Sequence, residues 1–181
     1  SKGNKGISAF LVPKDSPGLS FGKPEEKLGI KASHTTDVFF NDVRVPAENL
    51  LGKEGDGFKV ALSTLDGGRV GIAAQAVGLM QAALDIIVPY AKTRVQFGKP
   101  IAEFQAIQWK IANLATDLDA ARLMLYRAAF LRGQGVRATK EISMAKMFCS
   151  DACMRHMPEA IQVFGGYGYI CLLYTSDAAD E

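Results

Sequence analysis

Three short stretches hold residue types that can bind or steer charge at a ligand. In LDGGR, Leu65 to Arg69, an acid and a base flank two adjacent glycines inside a helical pattern, and such a pair costs a helix roughly 2 kcal/mol relative to alanine. One reading is a break between two helices, with Asp66 and Arg69 as an i, i+3 ion pair. The other is a close approach: a ligand passes where no side chain fits at Gly67 and Gly68, with Asp66 accepting and Arg69 donating hydrogen bonds to it. In RVQFGKPI, Arg94 to Ile101, Arg94 either complements the dipole of the preceding helix or offers a charged donor to a phosphate, with Gly98 letting the loop pass close. GGYG, Gly165 to Gly168, follows a helix, whereas a dinucleotide-binding fingerprint follows a strand and opens a helix, so a Rossmann reading fails. It reads as a helix cap whose consecutive N–H groups can also cup an anion.

Cys149, Cys153 and His156 stand at i, i+4 and i+7 of one helical run. Residues seven apart are separated by about 10.5 Å along a helix axis, whereas zinc bonds are only about 2.0 to 2.3 Å long. One ion cannot hold all three, and they read as packing residues. The only other histidine, His34, sits in a polar turn, so no nucleophile has a credible base and no metal site is expected.

The 181 residues carry a net charge of only +2, with 22% charged and 48% apolar residues. That near balance argues against nucleic acid as a main partner, because phosphate binding needs a concentrated basic face. Charges are expected to break the apolar runs before the roughly 18 to 20 residues that a membrane span needs, so no span is expected and the chain reads as soluble. Three cysteines make no disulfide framework and fit a reducing compartment. The chain opens on Ser1, without an initiator methionine, which suggests a cut.

The elements that must position these residues change character along the chain. GISAFLV (Gly6 to Val12) and TTDVFFNDVRVP (Thr35 to Pro46) carry strand signals separated by turn punctuation. About three strands are expected there, too few to bury both faces of a sheet. After AENLLGKEGDG (Ala47 to Gly57) the period turns helical. Ile107, Ile111, Leu114, Leu118, Ala121, Leu125 and Ala128 recur at spacings of 4 and 3, one apolar stripe entered after Pro100 and left at Gly133 and Gly135. A further helix is expected from Thr139 to about Phe164, stopped by Gly165. The run from Phe58 to Arg94 is expected to be helical but interrupted at Gly67 and Gly68 and again at Pro89. Amphipathic segments joined by short loops pack most economically as an antiparallel bundle.

Taken in order, GISAFLVPKDSPGLSFGKPEEKLGIKASHTTDVFFNDVRVP, NLLGKEGDGF, LDGGRVGIAAQAVG, RVQFGKPIAEFQAIQ and AIQVFGGYGY resemble the acyl-CoA dehydrogenase family, particularly its short-chain, butyryl-type members, over Gly6 to about Tyr169. The resemblance implies an α+β, mainly α, chain: residues 1–50 as the C-terminal part of the middle β domain, then residues 51–170 as an incomplete antiparallel helical-bundle domain. It implies a flavoprotein that oxidises the Cα–Cβ bond of a short-chain acyl-CoA, with a glutamate removing the α proton and the β hydrogen leaving as hydride to FAD. By resemblance Asp66, Gly67, Gly68 and Arg69 line the acyl-CoA site. Arg94 and Gln105 contact the pyrophosphate and adenosine side of FAD, Phe97 packs nearby, and Gln162, Val163, Phe164, Gly165 and Gly166 reach the same cofactor. It further implies a homodimer or homotetramer with FAD at the subunit interface and electron-transfer flavoprotein as electron acceptor. The expected location is the cytoplasm of a bacterium, or the mitochondrial matrix of a eukaryote.

Two departures from the family accompany this. The position three beyond the last aromatic of GGYGY is Leu172 where an acidic or amide residue is expected, and the base glutamate does not occur in the sequence, so it is expected C-terminal to the chain and the chain alone is expected to be inactive. The tail CLLYTSDAADE, Cys171 to Glu181, resembles the in-frame translation of a sequencing adapter and is expected not to be native sequence. The alternative readings are an acyl-CoA oxidase or flavin monooxygenase of the same fold, or a catalytically silent helical-bundle scaffold.

Overall fold

The computed structural model describes residues 3–170; the tail from Cys171 onward lies outside the described residues. The described residues form two compact units with a boundary after Thr64. In the first, strand β1 (Leu19–Phe21) pairs antiparallel with β2 (Val38–Phe40), Ser20 standing opposite Phe39. The stretch GISAFLV does not become a regular strand. It runs extended against the segment around Leu50 through one bridge, Phe10 to Leu50, with the Leu11 N–H donating to Asn49 and the Leu51 N–H to Ala9, both at 2.8 to 2.9 Å. The strand signal was real, but its partner is the turn Ala47–Asn49 and its flanks, which are too irregular for a ladder.

Three long helices make the second unit and the approach to it: α1 (Gly57–Thr93), α2 (Gln105–Gly133) and α3 (Thr139–Val163). The stripe read from the sequence is the buried face of α2, with Leu114, Leu118, Ala121, Leu125 and Ala128 buried and Ile107 and Ile111 packed at its edge. From α1 it meets Ala73, Ala76, Val77, Met80, Ile87 and Ala91, and from α3 Cys149, Ala152, Cys153, Ala160 and Val163. All three sets recur at helical spacing of three and four, so each helix turns one face to a shared core. α2 and α3 lie closest together, where Ala121 faces the small residues Cys149, Ala152 and Cys153 of α3.

α1 does not break where its sequence suggests. It passes through Gly67, Gly68 and Pro89 as one helix of 37 residues. Propensity is a weak prior of about 1 kcal/mol for each glycine and about 3 for proline; Pro89 is flanked by buried Ile87 and Ala91, and beside the glycines Asp66 is held by Arg69 and Thr139, with packed positions following from Val70. At Pro89 the Thr93 hydroxyl donates to the Pro89 and Tyr90 carbonyls at 3.1 and 3.2 Å, helping to close the last turn. Between Val70 and Leu84 α1 carries no charge, so by length and composition it is apolar enough to cross a membrane, contrary to the sequence expectation. Its buried face packs against α2 and α3 in a shared core, which uses part of that apolar surface, while Ile72, Leu79 and Ile86 stand exposed on its other faces.

Candidate functional site

The chain leaves α1 into a feature that the sequence reading did not anticipate. Val95–Gln96 (β3) and Lys99–Pro100 (β4) form a two-residue hairpin, Val95 opposite Pro100. Its turn residues Phe97 and Gly98 both have positive φ, 53° and 82°, as a type I′ turn requires to match strand twist. Glycine takes this conformation freely; phenylalanine does so under strain. Arg94 is fixed at the hairpin's base, its N–H donating to Tyr90 and its carbonyl accepting from Ile101, both at 2.8 Å.

Across from the hairpin, α3 ends at Val163 with Phe164 as its C-cap. Gly165 turns the chain at φ 59° into a short 3-10 turn, Gly165–Gly168. That turn is pressed against α3: a Cβ on Gly168 would lie 2.4 Å from the Ile161 carbonyl oxygen, so only glycine fits. Between hairpin and turn lies a groove of about 760 Å³ whose lining includes Arg94, Phe97, Gln162, Val163, Phe164, Gly165 and Gly166, together with Tyr90, Phe104, Ala106 and Tyr167. The Arg94 guanidinium stands 5.1 Å over the Tyr167 ring, and Tyr90 and Phe164 are 4.6 Å apart. Among the described residues Arg94 has no carboxylate partner, and no Asp or Glu lines the groove. A lone guanidinium among aromatic faces suits a planar ligand that also carries an anionic group.

Eight residues were expected at a cofactor. Seven meet in this groove, while Gln105 stands exposed at the start of α2 between the lining residues Phe104 and Ala106. The four residues expected at a substrate lie elsewhere. Asp66 accepts from Arg69 Nη1 at 2.7 Å and from Thr139 Oγ1 at 3.0 Å, so the i, i+3 ion pair forms within an unbroken helix. Arg69 is 24 residues from the end of α1 at Thr93, roughly 36 Å along the axis. One chain therefore does not bring the two sets together.

A family model described as Acyl-CoA dehydrogenase, C-terminal domain, matches residues 55–179. The chain belongs to the acyl-CoA dehydrogenase family. It is 52% identical over 169 residues to the short-chain specific acyl-CoA dehydrogenase of Megasphaera elsdenii, covering 93% of this chain and 44% of that protein. It is 51% identical over 170 residues to subunit CarC of the caffeyl-CoA reductase-Etf complex of Acetobacterium woodii, covering 94% and 45%. The solved structure of butyryl-CoA dehydrogenase from Megasphaera elsdenii superposes with a TM-score of 0.89 at 51% identity, over 93% of this chain and 44% of that one. The chain thus spans less than half the length of these acyl-CoA dehydrogenase relatives.

Several features of this acyl-CoA dehydrogenase chain had no local signal. Tyr90, Phe104 and Tyr167 enter the groove only because a hairpin and a helix end face each other. Thr139 is 73 residues from Asp66. A second groove, between α2 and α3, is polar and holds Lys110 with Glu159, and Asp117 with Arg155 and His156 at 3.0 and 2.8 Å. The His156 hydrogen bond first, then those of Arg155, lower the Asp117 pKa below its ordinary value against the opposing effect of burial. Cys149 and Cys153 are buried, free thiols whose pKa values burial pushes up. No group of His, Cys, Asp and Glu among the described residues could hold a metal.

Proposed function

We propose that this chain is the C-terminal half of an FAD-dependent short-chain acyl-CoA dehydrogenase: residues 1–50 the end of its middle β domain, residues 51–170 part of its C-terminal helical bundle. The observation that carries this reading is the groove where Arg94, Phe97 and Gln162 to Gly166 converge. Its residues fit the cofactor. Arg94 is a fixed, uncompensated cation suited to a pyrophosphate, and the aromatic rings offer faces for a planar heterocycle. Gly165 and Gly166 have nothing within 4 Å of where a Cβ would stand, leaving their backbone open to a ligand. When bound, FAD supplies the acceptor for the substrate's β hydrogen.

Arg94 in this reading binds and orients the cofactor through its phosphates, with Gln105 at the adenosine side. Asp66, Gly67, Gly68 and Arg69 hold the acyl-CoA. The base that removes the α proton is a glutamate C-terminal to this chain, and the chain by itself is inactive. The electron carrier is an electron-transfer flavoprotein, the kind of partner named with the Acetobacterium woodii relative. The enzyme works as a homodimer or homotetramer, in the cytoplasm of a bacterium or the mitochondrial matrix of a eukaryote.

Arg94→Ala in the full-length enzyme tests the assignment. Loss of a charged donor to a phosphate is worth about 1.5 to 3 kcal/mol, or roughly ten- to hundredfold in affinity. The variant should emerge from gel filtration stripped of flavin absorbance. Full flavin occupancy after filtration overturns the reading.

A further inference from the structure

Arg94 enters the groove on a long side chain of which only the backbone is pinned, its N–H donating to the Tyr90 carbonyl and its carbonyl accepting from the Ile101 N–H. Such a side chain keeps much rotamer freedom, and a cation that a ligand must first order binds that ligand less tightly. Among the described residues the guanidinium makes no ion pair and no hydrogen bond. What meets it is the Tyr167 ring, 5.1 Å away, inside the roughly 6 Å over which a ring face attracts a cation. That ring is itself held by its backbone. Tyr167 lies in the turn Gly165–Gly168, where the Phe164 N–H donates to Ile161 at 3.1 Å and the Tyr169 N–H to Gly166 at 3.2 Å, while Gly168 stands too close to the Ile161 carbonyl for any Cβ. The chain has no other use for the side chain: Tyr167 is 43% exposed, and among the described residues its hydroxyl makes no hydrogen bond.

We propose that Tyr167 is a positioning residue whose ring holds the Arg94 guanidinium ready for the pyrophosphate of FAD, tightening cofactor binding without itself touching a phosphate. The inference rests on the reading that Arg94 binds that pyrophosphate. A ring attracts the cation through its face and accepts none of the guanidinium's N–H bonds in the way an oxygen would, so those donors stay available for phosphate oxygens. A carboxylate would also hold the guanidinium, but it would occupy the same donors and offset the charge that the phosphates need. The ring does neither. Ordering the cation before the cofactor arrives removes part of the cost of binding. The motif GGYG then divides its work: Gly165 and Gly166 leave backbone open, Gly168 sets the turn against α3, and Tyr167, the single side chain among them, meets the cation.

A double-mutant cycle on the dissociation constant of the full-length enzyme for FAD, followed by flavin fluorescence, tests this. Tyr167→Leu should weaken FAD binding about three- to fivefold, the loss of one partly exposed cation–π contact. Tyr167→Phe keeps the ring face and should bind FAD as the parent does. In an Arg94→Ala background, where no guanidinium remains to be held, Tyr167→Leu should change nothing further. A Tyr167→Leu loss that persists undiminished beside Arg94→Ala means that the ring acts on FAD or on the turn directly, and it overturns the proposal. So does Tyr167→Leu binding FAD as tightly as the parent, or Tyr167→Phe binding it as weakly as Tyr167→Leu. If Arg94→Ala alone keeps the parent's affinity, the reading that Arg94 binds the pyrophosphate falls, and the inference with it.

Discussion

Phe97 combines two unfavourable properties at one residue. It sits at φ 53°, a region costing a side chain with a Cβ about 1 to 2 kcal/mol, and its ring is 94% exposed. Neither folding nor solubility asks for that, and strained exposed residues that persist do so where they serve a ligand. In the reading above the ring packs against FAD, edge-on to Phe104 at 6.1 Å. Phe97→Asn should therefore stabilise the flavin-free protein by about 1 kcal/mol, because asparagine tolerates this conformation, while weakening flavin retention. Thermal melts with and without added FAD check this: a variant equally stable when flavin-free, or holding FAD as tightly as its parent, contradicts it. Resemblance to the family put Phe97 beside FAD, but its own local sequence did not announce a turn. A hairpin turn is usually announced by Asn-Gly or Asp-Gly, and Phe-Gly hides it because the backbone need was met against the side chain's preference.

At the level of elements, the legible parts were those whose burial is written in one residue period. The stripe from Ile107 to Ala128 and the stop of α3 before Gly165 are found where the sequence puts them. What was not legible, the continuity of α1, depends on contacts distant in sequence: the packing of Ala73 to Ala91 carries the helix through Pro89, and Thr139 joins the Asp66–Arg69 pair beside the two glycines. The register of α2 on α3 likewise depends on a partner that no spacing reveals. Asp117 on α2 takes hydrogen bonds from Arg155 and His156 on α3 in a half-open groove. Because its folded pKa is lowered below 3.8, Asp117 contributes stability that is present above that pH and lost as pH falls through the lower folded value. Asp117→Asn in the full-length protein should cost about 1 kcal/mol near pH 7, a figure discounted for the partial exposure of the carboxylate. The gap to the parent should close below about pH 4. Melting midpoints followed from pH 7 to pH 3 decide it, and a difference that stays constant over that range removes the ion cluster as a helix clamp.

At the scale of the molecule, Arg69 lies about a third of the way along α1 (Gly57–Thr93) and roughly 36 Å along the axis from its C-terminal end, beside which the groove opens, so in the proposed reading one chain does not bring its substrate residues to its own cofactor residues. A second copy that brings its own groove to this chain's substrate residues would join the two sets. The outer faces of the helices are suited to such contact. Leu123, Tyr126 and Phe130 recur along α2 at 64%, 62% and 66% exposure, outside the stripe already spent on the core. Met147 and Met154 do the same on α3. Apolar positions beyond those a bundle buries mark a surface awaiting a partner. Replacing Leu123 and Phe130 together by lysine should leave the bundle core untouched, because neither side chain is in it. In the full-length enzyme the double variant should elute as a smaller species by light scattering and lose its flavin in the same fractions. Dissociation with flavin fully retained would show that each chain holds FAD unaided. An unchanged assembly would show that these residues face something other than a second copy. Joint loss of assembly and flavin is the outcome expected if a second copy completes the proposed cofactor site.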